Sequence, residues 1–271
     1  MIICLLQGSF IHLEEFHVFV REGLELPPVF LETKSLYISC RHIASAVGLS
    51  VFLKKFHNLQ LLELRYGSME ELFINEGALD GEEQHVFAHL KSLEIYGMDN
   101  LMHVWKENSH LAGPVFPNLE ILKVDKCERL KNIVSSAISF RNLVQLEVLE
   151  CHGLKHLITC SVAKSFVQLQ SIRVENCQRM VEFVASDDDN KDTGDADHGN
   201  EITFSQLKDL KLSNLPNLKG FCSQNYIVKF PYLTTLSVTS CLEMKISPDG
   251  VLLNDSKHEW SSTEPTEEQR Q

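Results

Sequence analysis

One spacing recurs along the chain and limits what it can fold into: F-x-x-L-x-x-L-x-L-x-x-C-x-x-L. Its clearest copy is Phe116, Leu119, Leu122, Val124, Cys127, Leu130. Two more follow at once: Phe140, Leu143, Leu146, Val148, Cys151, Leu154, and Phe166, Leu169, Ile172, Val174, Cys177, Met180. The series resumes as Phe204, Leu207, Leu210, Leu212, Leu215, Leu218 and again as Phe230, Leu233, Leu236, Val238, Cys241, Met244. Upstream, Phe87 to Leu101 matches with Met98 in the cysteine slot. Phe56 to Leu64 matches until Gly67 and Glu70 break its second half, and weaker copies start at Phe30 and Phe10. Nine of the fifteen phenylalanines thus hold one register position.

The L-x-L step has the period of a β-strand, so one side of each strand is apolar and the other is free. A single coil cannot bury that apolar side, whereas a stack of coils can. Between first register positions the intervals are 20, 26, 31, 29, 24, 26, 38 and 26 residues, most of them near the roughly 20–29 of leucine-rich repeats. The expected fold is therefore an α/β solenoid: a horseshoe with a parallel sheet on its concave face and irregular or short helical convex segments. The long interval coincides with the acidic stretch 186–199, read as a disordered insertion between two coils. Residues 1–55 read as degenerate repeats, 56–246 as the solenoid, and 247–271 as a disordered acidic tail.

Two columns of side chains should run the length of the stack. Phe116, Phe140, Phe166, Phe204 and Phe230 form a spine away from the strands, each ring contributing roughly 1.5–3 kcal/mol when fully buried. Phe183, outside the register, is expected to matter less than Phe140. Cys127, Cys151, Cys177 and Cys241 form a ladder where a small polar group can bond backbone as the chain leaves the strand. They are expected to be buried, reduced and structural.

The formal net charge of −12 is local: residues 186–201 carry a net −6 and the tail from Pro248 a net −4. No basic stripe remains for a nucleic-acid backbone. Eight dispersed cysteines without a C-x-x-C pair do not make a stapled secreted scaffold. The short apolar start Met1–Leu6 lacks a basic flank, and no run of about 18 apolar residues occurs. A cytoplasmic setting without a membrane span is the expectation.

Candidate chemistry is sparse. Cys151, His152, His156 and Cys160 have superficially zinc-like spacing, but Cys151 is committed to the ladder. His85 and His89, also four apart, read as a loop edge. The acidic stretch fails the EF-hand pattern, since Thr193 stands where Gly is needed and Gly199 where Glu is needed. Neither a P-loop nor a G-x-S-x-G elbow occurs. No catalytic residue, cofactor or metal is expected, and the chain reads as a non-enzyme.

The free side of the strands remains. One row runs His17, Tyr37, Glu63, Glu94, Lys123, Glu147, Arg173, Lys211, Ser237, and the next runs Phe19, Ser39, Arg65, Tyr96, Asp125, Leu149, Glu175, Ser213, Thr239. Tyr37, Arg65, Tyr66, Tyr96, Lys123, Asp125, Glu147, Arg173, Glu175 and Lys211 are the candidate partner-binding residues. Tyr37, Arg65, Tyr66 and Tyr96 are expected close together, and Tyr and Arg dominate binding hot spots.

The segment from about Phe56 to Met244 resembles the repeats of plant nucleotide-binding, leucine-rich-repeat disease-resistance proteins of the coiled-coil class. Phe116-Pro117-Asn118-Leu119, Val174-Glu175-Asn176-Cys177, Cys127-Glu128-Arg129-Leu130-Lys131-Asn132-Ile133 and Leu215-Pro216-Asn217-Leu218-Lys219 carry the likeness. The resemblance implies a protein-interaction module of innate immunity. Its partner would be a pathogen effector, a guarded host protein or a nucleotide-binding domain. With neither the coiled coil nor the nucleotide-binding domain in it, the chain is similar to a fragment or stand-alone paralogue, and ATP hydrolysis is not implied. The alternative is a substrate-recognition repeat protein of a ubiquitin ligase.

Overall fold

The computed structural model describes residues 15–19, 31–43, 45–73, 87–105, 116–133, 140–186, 200–222, 226–244 and 251–253. Nine strands form one parallel sheet in chain order: β1 (Glu15–Phe19), β2 (Ser35–Ser39), β3 (Leu61–Arg65), β4 (Ser92–Tyr96), β5 (Ile121–Asp125), β6 (Gln145–Leu149), β7 (Ser171–Glu175), β8 (Asp209–Ser213) and β9 (Thr235–Thr239). The pairing follows the repeat residue for residue. Leu36, Leu62, Leu93, Leu122, Leu146, Ile172, Leu210 and Leu236 stand opposite one another in turn, as do Ile38 through Val238 one step further. From β2 to β8 the side chains at these two positions are buried.

Both x-x steps of the repeat have a local cause. The amide of Leu143 donates to the carbonyl of Phe140 at 3.3 Å, and that of Leu130 to Cys127 at 3.2 Å; each bond closes one corner of a coil. Between strand and cysteine corner, one residue per coil is left-handed: Tyr66, Gly97, Lys126, Glu150, Asn176, Asn214 and Ser240, all with φ between 51° and 59°. For a residue other than glycine this conformation costs roughly 1–2 kcal/mol. It turns the amide toward the next coil. Lys126 donates to Leu149 O at 3.0 Å, Glu150 to Glu175 O at 2.9 Å and Asn176 to Ser213 O at 3.0 Å, so the parallel ladder continues through the turn.

The thiols lie just past these turns. Cys127, Cys151, Cys177 and Cys241 donate to the carbonyls of Asp125, Leu149, Glu175 and Thr239, two residues back, at 3.3 to 3.6 Å. Cys151, Cys177 and Cys241 also reach the preceding coil. Gly67, which breaks the repeat in sequence, occupies the same column. A Cβ there would lie 2.6 Å from Met98 Cε and 2.9 Å from Cys40 Cβ, so the methionine fills the space the glycine leaves. The coil is one residue shorter beyond it. The pairing of Glu71 with His103 sets buried Met69 opposite Leu101, in the slot the alignment gave to Glu70.

Asparagines tie the corners of neighbouring coils together. Asn118 Nδ2 donates to Ala88 O at 2.6 Å, Asn142 to Pro117 O at 2.7 Å and Asn217 to Gln178 O at 2.6 Å, each reaching the preceding coil.

The return segments include two short helices, α1 (Ala46–Leu53), capped by Ser45 Oγ on the Gly48 amide, and α2 (Cys160–Ser165). Elsewhere they form short parallel ladders. Glu71–Phe73 pairs with His103–Trp105, and His156–Thr159 pairs with Glu182–Ala185, which pairs with Gly220–Cys222. Asn200–Thr203, Tyr226–Phe230 and Val251–Leu253 form a third. The last of these strands falls within 247–271, expected to be a disordered acidic tail, whose other residues lie outside the described ones. Residues 187–199 of the acidic insertion lie outside the described residues, yet β7 and β8 on either side pair without a break.

The Phe spine and the return strands share one core. Phe116 meets Phe87 at 4.9 Å and Trp105 at 5.5 Å, Trp105 meets Phe140 at 5.6 Å, and Phe204 stacks on Phe230 at 5.3 Å. Phe183 corrects the sequence expectation. It is fully buried and touches Phe204 and Phe221, because its short return strand, with both Phe183 and Val184 buried, packs beside the spine. Phe140→Ala and Phe183→Ala are therefore each expected to lower stability by about 3–5 kcal/mol in denaturant titration. A Phe183 loss under half that of Phe140 would contradict this packing.

Candidate protein-binding face

Strand alternation turns the first, third and fifth residues of each sheet strand away from the core, giving three rows on the front face. The middle row reads Tyr37, Glu63, Glu94, Lys123, Glu147, Arg173, Lys211, and the last Ser39, Arg65, Tyr96, Asp125, Leu149, Glu175, Ser213. Adjacent coils thus place charge beside charge.

At the early coils these charges interlock. Arg65 Nε pairs with the buried carboxylate of Glu63, and its guanidinium lies 5.0 Å from the Tyr96 ring centroid. Tyr96 donates to Glu94 Oε2 at 2.7 Å, Ser92 donates to Glu94 Oε1 at 3.2 Å, and Lys123 Nζ stands 3.7 Å from that same oxygen. Burial, then the bond to Glu94, pushes the Tyr96 phenol well above its usual range. Only part of the expected aromatic cluster therefore forms on the sheet. Arg65 and Tyr96 stack, and Tyr37 sits one row over, opposite Glu63. Tyr66 occupies the left-handed turn instead, with Arg41 5.1 Å from its ring centroid. Its sequence neighbours gave no sign of that rotation.

A second network covers the later coils. Arg173 Nη2 donates to Glu175 Oε2 at 2.9 Å, and Lys211 Nζ lies 2.7 Å from Glu175 Oε1. The Arg173 hydrogen bond, assisted by Lys211, holds the Glu175 carboxyl below the usual carboxylate range despite its burial. Between the two networks, Glu147 accepts from Gln145 at 2.7 Å. Asp125 is different: its Oδ1 is buried without a hydrogen-bond partner, and burial raises its carboxyl pKa. Beside it stands half-buried Leu149.

Cys40, Cys151 and Cys177 are held as thiols. Burial pushes Cys40 and Cys177 up to about 12, and Cys151 is raised by its hydrogen bond with Cys127 and by burial. Cys160 is buried in α2, on a separate element from Cys151. Among the described residues no three His, Cys, Asp or Glu side chains are placed to hold a metal ion, and no helix is long and apolar enough to cross a membrane.

Parallel coils, a buried aliphatic column and a polar outward sheet define a leucine-rich-repeat solenoid. Residues 14–139 and 136–246 match the family described as plant disease resistance protein RPS2-like, leucine-rich repeats, and the chain belongs to that family. It is 29% identical over 168 residues to the late blight resistance protein homolog R1B-16 of Solanum demissum, covering 59% of this chain and 12% of that protein. The homolog R1B-23 of the same plant is 30% identical over 178 residues, covering 65% and 13%. A disease resistance protein of Arabidopsis thaliana is 29% identical over 167 residues, covering 60% and 17%. The chain thus matches less than a fifth of the length of each of these relatives.

The carboxyls of Asp125 and Glu175 respond oppositely to pH. Asp125 has a raised folded pKa, so its ionised form destabilises the fold above that value, and protonation on acidification removes the penalty. Glu175 has a lowered pKa, so its stabilisation is present above the unfolded value and is lost as pH falls through the folded one. Asp125→Asn is therefore expected to raise Tm at pH 7 but not at pH 3, and Glu175→Gln to lower it at pH 7 by an amount that shrinks as pH falls below the unfolded value. Calorimetric scans at the two pH values check both signs.

Proposed function

We propose that the front face of the sheet is a protein-recognition surface in plant innate immunity, working in the cytoplasm. It would meet a pathogen effector, a guarded host protein or a nucleotide-binding domain. The observation that carries this reading is the separation of tasks along each strand. Two residues of five are committed to the core, while the outward three vary from coil to coil and hold mixed charges in place. Membership of a disease-resistance repeat family, and relatives named for disease resistance, support the setting.

The charge networks suit this role. Exposed ion pairs contribute only about 0–1 kcal/mol to folding, but preorganised charges set partner choice and association rate. The mixed signs call for a partner with an interleaved pattern rather than one steered by net charge. Asp125 and Leu149, between the two networks, offer an incompletely satisfied carboxylate beside apolar surface. Tyr96 and Arg65 offer a stacked pair of the types that anchor interfaces.

A photo-crosslinking amino acid at Tyr96 or Lys123 is expected to capture a discrete protein from plant extract, while the same group at exposed Val167, outside the sheet, is not. Combining Arg173→Glu with Lys211→Glu should reduce the captured yield at least about tenfold. Equal capture from Tyr96 and Val167, or yield unaffected by the charge reversals, would contradict the assignment.

A further inference from the structure

The buried columns fade at β9, the last strand of the front sheet and paired on one side only. Leu236 is 8% exposed, where its counterparts from Leu36 to Leu210 stand at 0–1%. Val238, Cys241 and Met244 are half-buried, whereas Leu212, Leu215 and Leu218 of the coil before are fully enclosed. The two most exposed large apolar side chains among the described residues also belong to this coil, Tyr232 at 63% and Leu242 at 80%. Leu242 stands where other coils carry Glu128, His152 or Gln178. Nor does the sequence that follows extend the columns. Leu253 pairs with Phe230 and so holds the spine position, but the steps that gave Leu233, Leu236 and Val238 now fall on Ser256, Glu259 and Ser261.

The edge itself is unguarded. Thr235 donates its amide to Lys208 O at 2.9 Å, and Thr239 O accepts from the Asn214 amide at 2.9 Å. By alternation, Leu236 and Val238 turn their N–H and C=O groups to the free side. Exposed edges are ordinarily protected by charge or proline, and β9 has neither. Its middle residue decides what can pair with it. Strands β3 to β8 carry Glu63, Glu94, Lys123, Glu147, Arg173 and Lys211 there, so a two-fold axis through any of them would set like charge against like. At β9 the axis meets Ser237.

We propose that this edge joins a second copy of the chain in a two-fold dimer, with the two β9 strands running antiparallel about Ser237. Leu236 then lies opposite the copy's Val238, and each such pair exchanges the N–H and C=O groups that face the free side. On the inner side the aliphatic columns run on into the second copy. Tyr232 and Leu242 flank Ser237 at five residues to either side, so the axis brings each tyrosine to the strand end that carries the copy's leucine. A self-complementary contact of this kind closes on itself and stops at two copies. It uses a different surface from the front-face rows of β3 to β8.

Sedimentation equilibrium of the full chain is the test, and the native chain is expected to be a dimer. Ser237→Lys should weaken that dimer at least about tenfold, because two lysines meet on the axis. Lysine already occupies this row in β5 and β8, so circular dichroism should show the coils still folded. An equimolar mixture of the Ser237→Lys and Ser237→Glu chains should recover the dimer, which a folding defect would not allow. Arg173→Glu on the front face should leave it unchanged, so the two surfaces can fail separately. A monomeric native chain, an unaltered dimer in Ser237→Lys, a mixture that stays monomeric, or assembly beyond two copies would overturn the proposal.

Discussion

Everything in this molecule depends on backbone hydrogen bonds between successive coils. One coil exposes an apolar strand side, an aromatic corner and a row of strand amides, and none of these is satisfied within the coil. Stacking satisfies all three together, so the folded stretch gains stability as a sum of neighbour terms rather than from one central core. The left-handed turns show how far the requirement reaches. Lys126, Glu150, Asn176 and Asn214 accept an unfavourable backbone conformation, and each then delivers its amide to the next coil at 2.9 to 3.0 Å.

Much of this was legible in the sequence because the pattern records geometry directly. The period of two in L-x-L marks the strand, and the x-x steps mark the two hydrogen-bonded corners. All nine sheet strands pair in the register the repeat implies. The return side was harder to read. Three-residue strands such as Glu71–Phe73 and Gly220–Cys222 have no period of their own, and their ladders exist only because the coils are already stacked. Phe183 looked peripheral for that reason. Gly67 looked like a break because the residue that compensates for it, Met98, lies 31 positions away. The corner asparagines could have been noticed, since Asn-Leu recurs at Asn58, Asn118, Asn142 and Asn217.

For the front face of the sheet, register alone placed Arg65 beside Tyr96 and Glu175 between Arg173 and Lys211. It could not place Tyr66, whose left-handed turn swings it to the rim, nor single out Asp125, whose buried oxygen depends on the packing around it. The face is therefore readable as rows, while the character of each position depends on neighbours two coils away. This division suits a recognition module. Core columns tolerate little change, whereas the outward rows can alter without disturbing the stack.

Hydrogen exchange at the turn amides tests coil-on-coil stacking most directly. In ordinary surface turns such amides exchange readily. If each coil hands its turn amide to the next, Lys126, Glu150, Asn176 and Asn214 should be protected as strongly as the amides within β5 to β8. Rapid exchange at these four positions beside slow exchange in the strands would show that the turns are free and the coils are not joined as described.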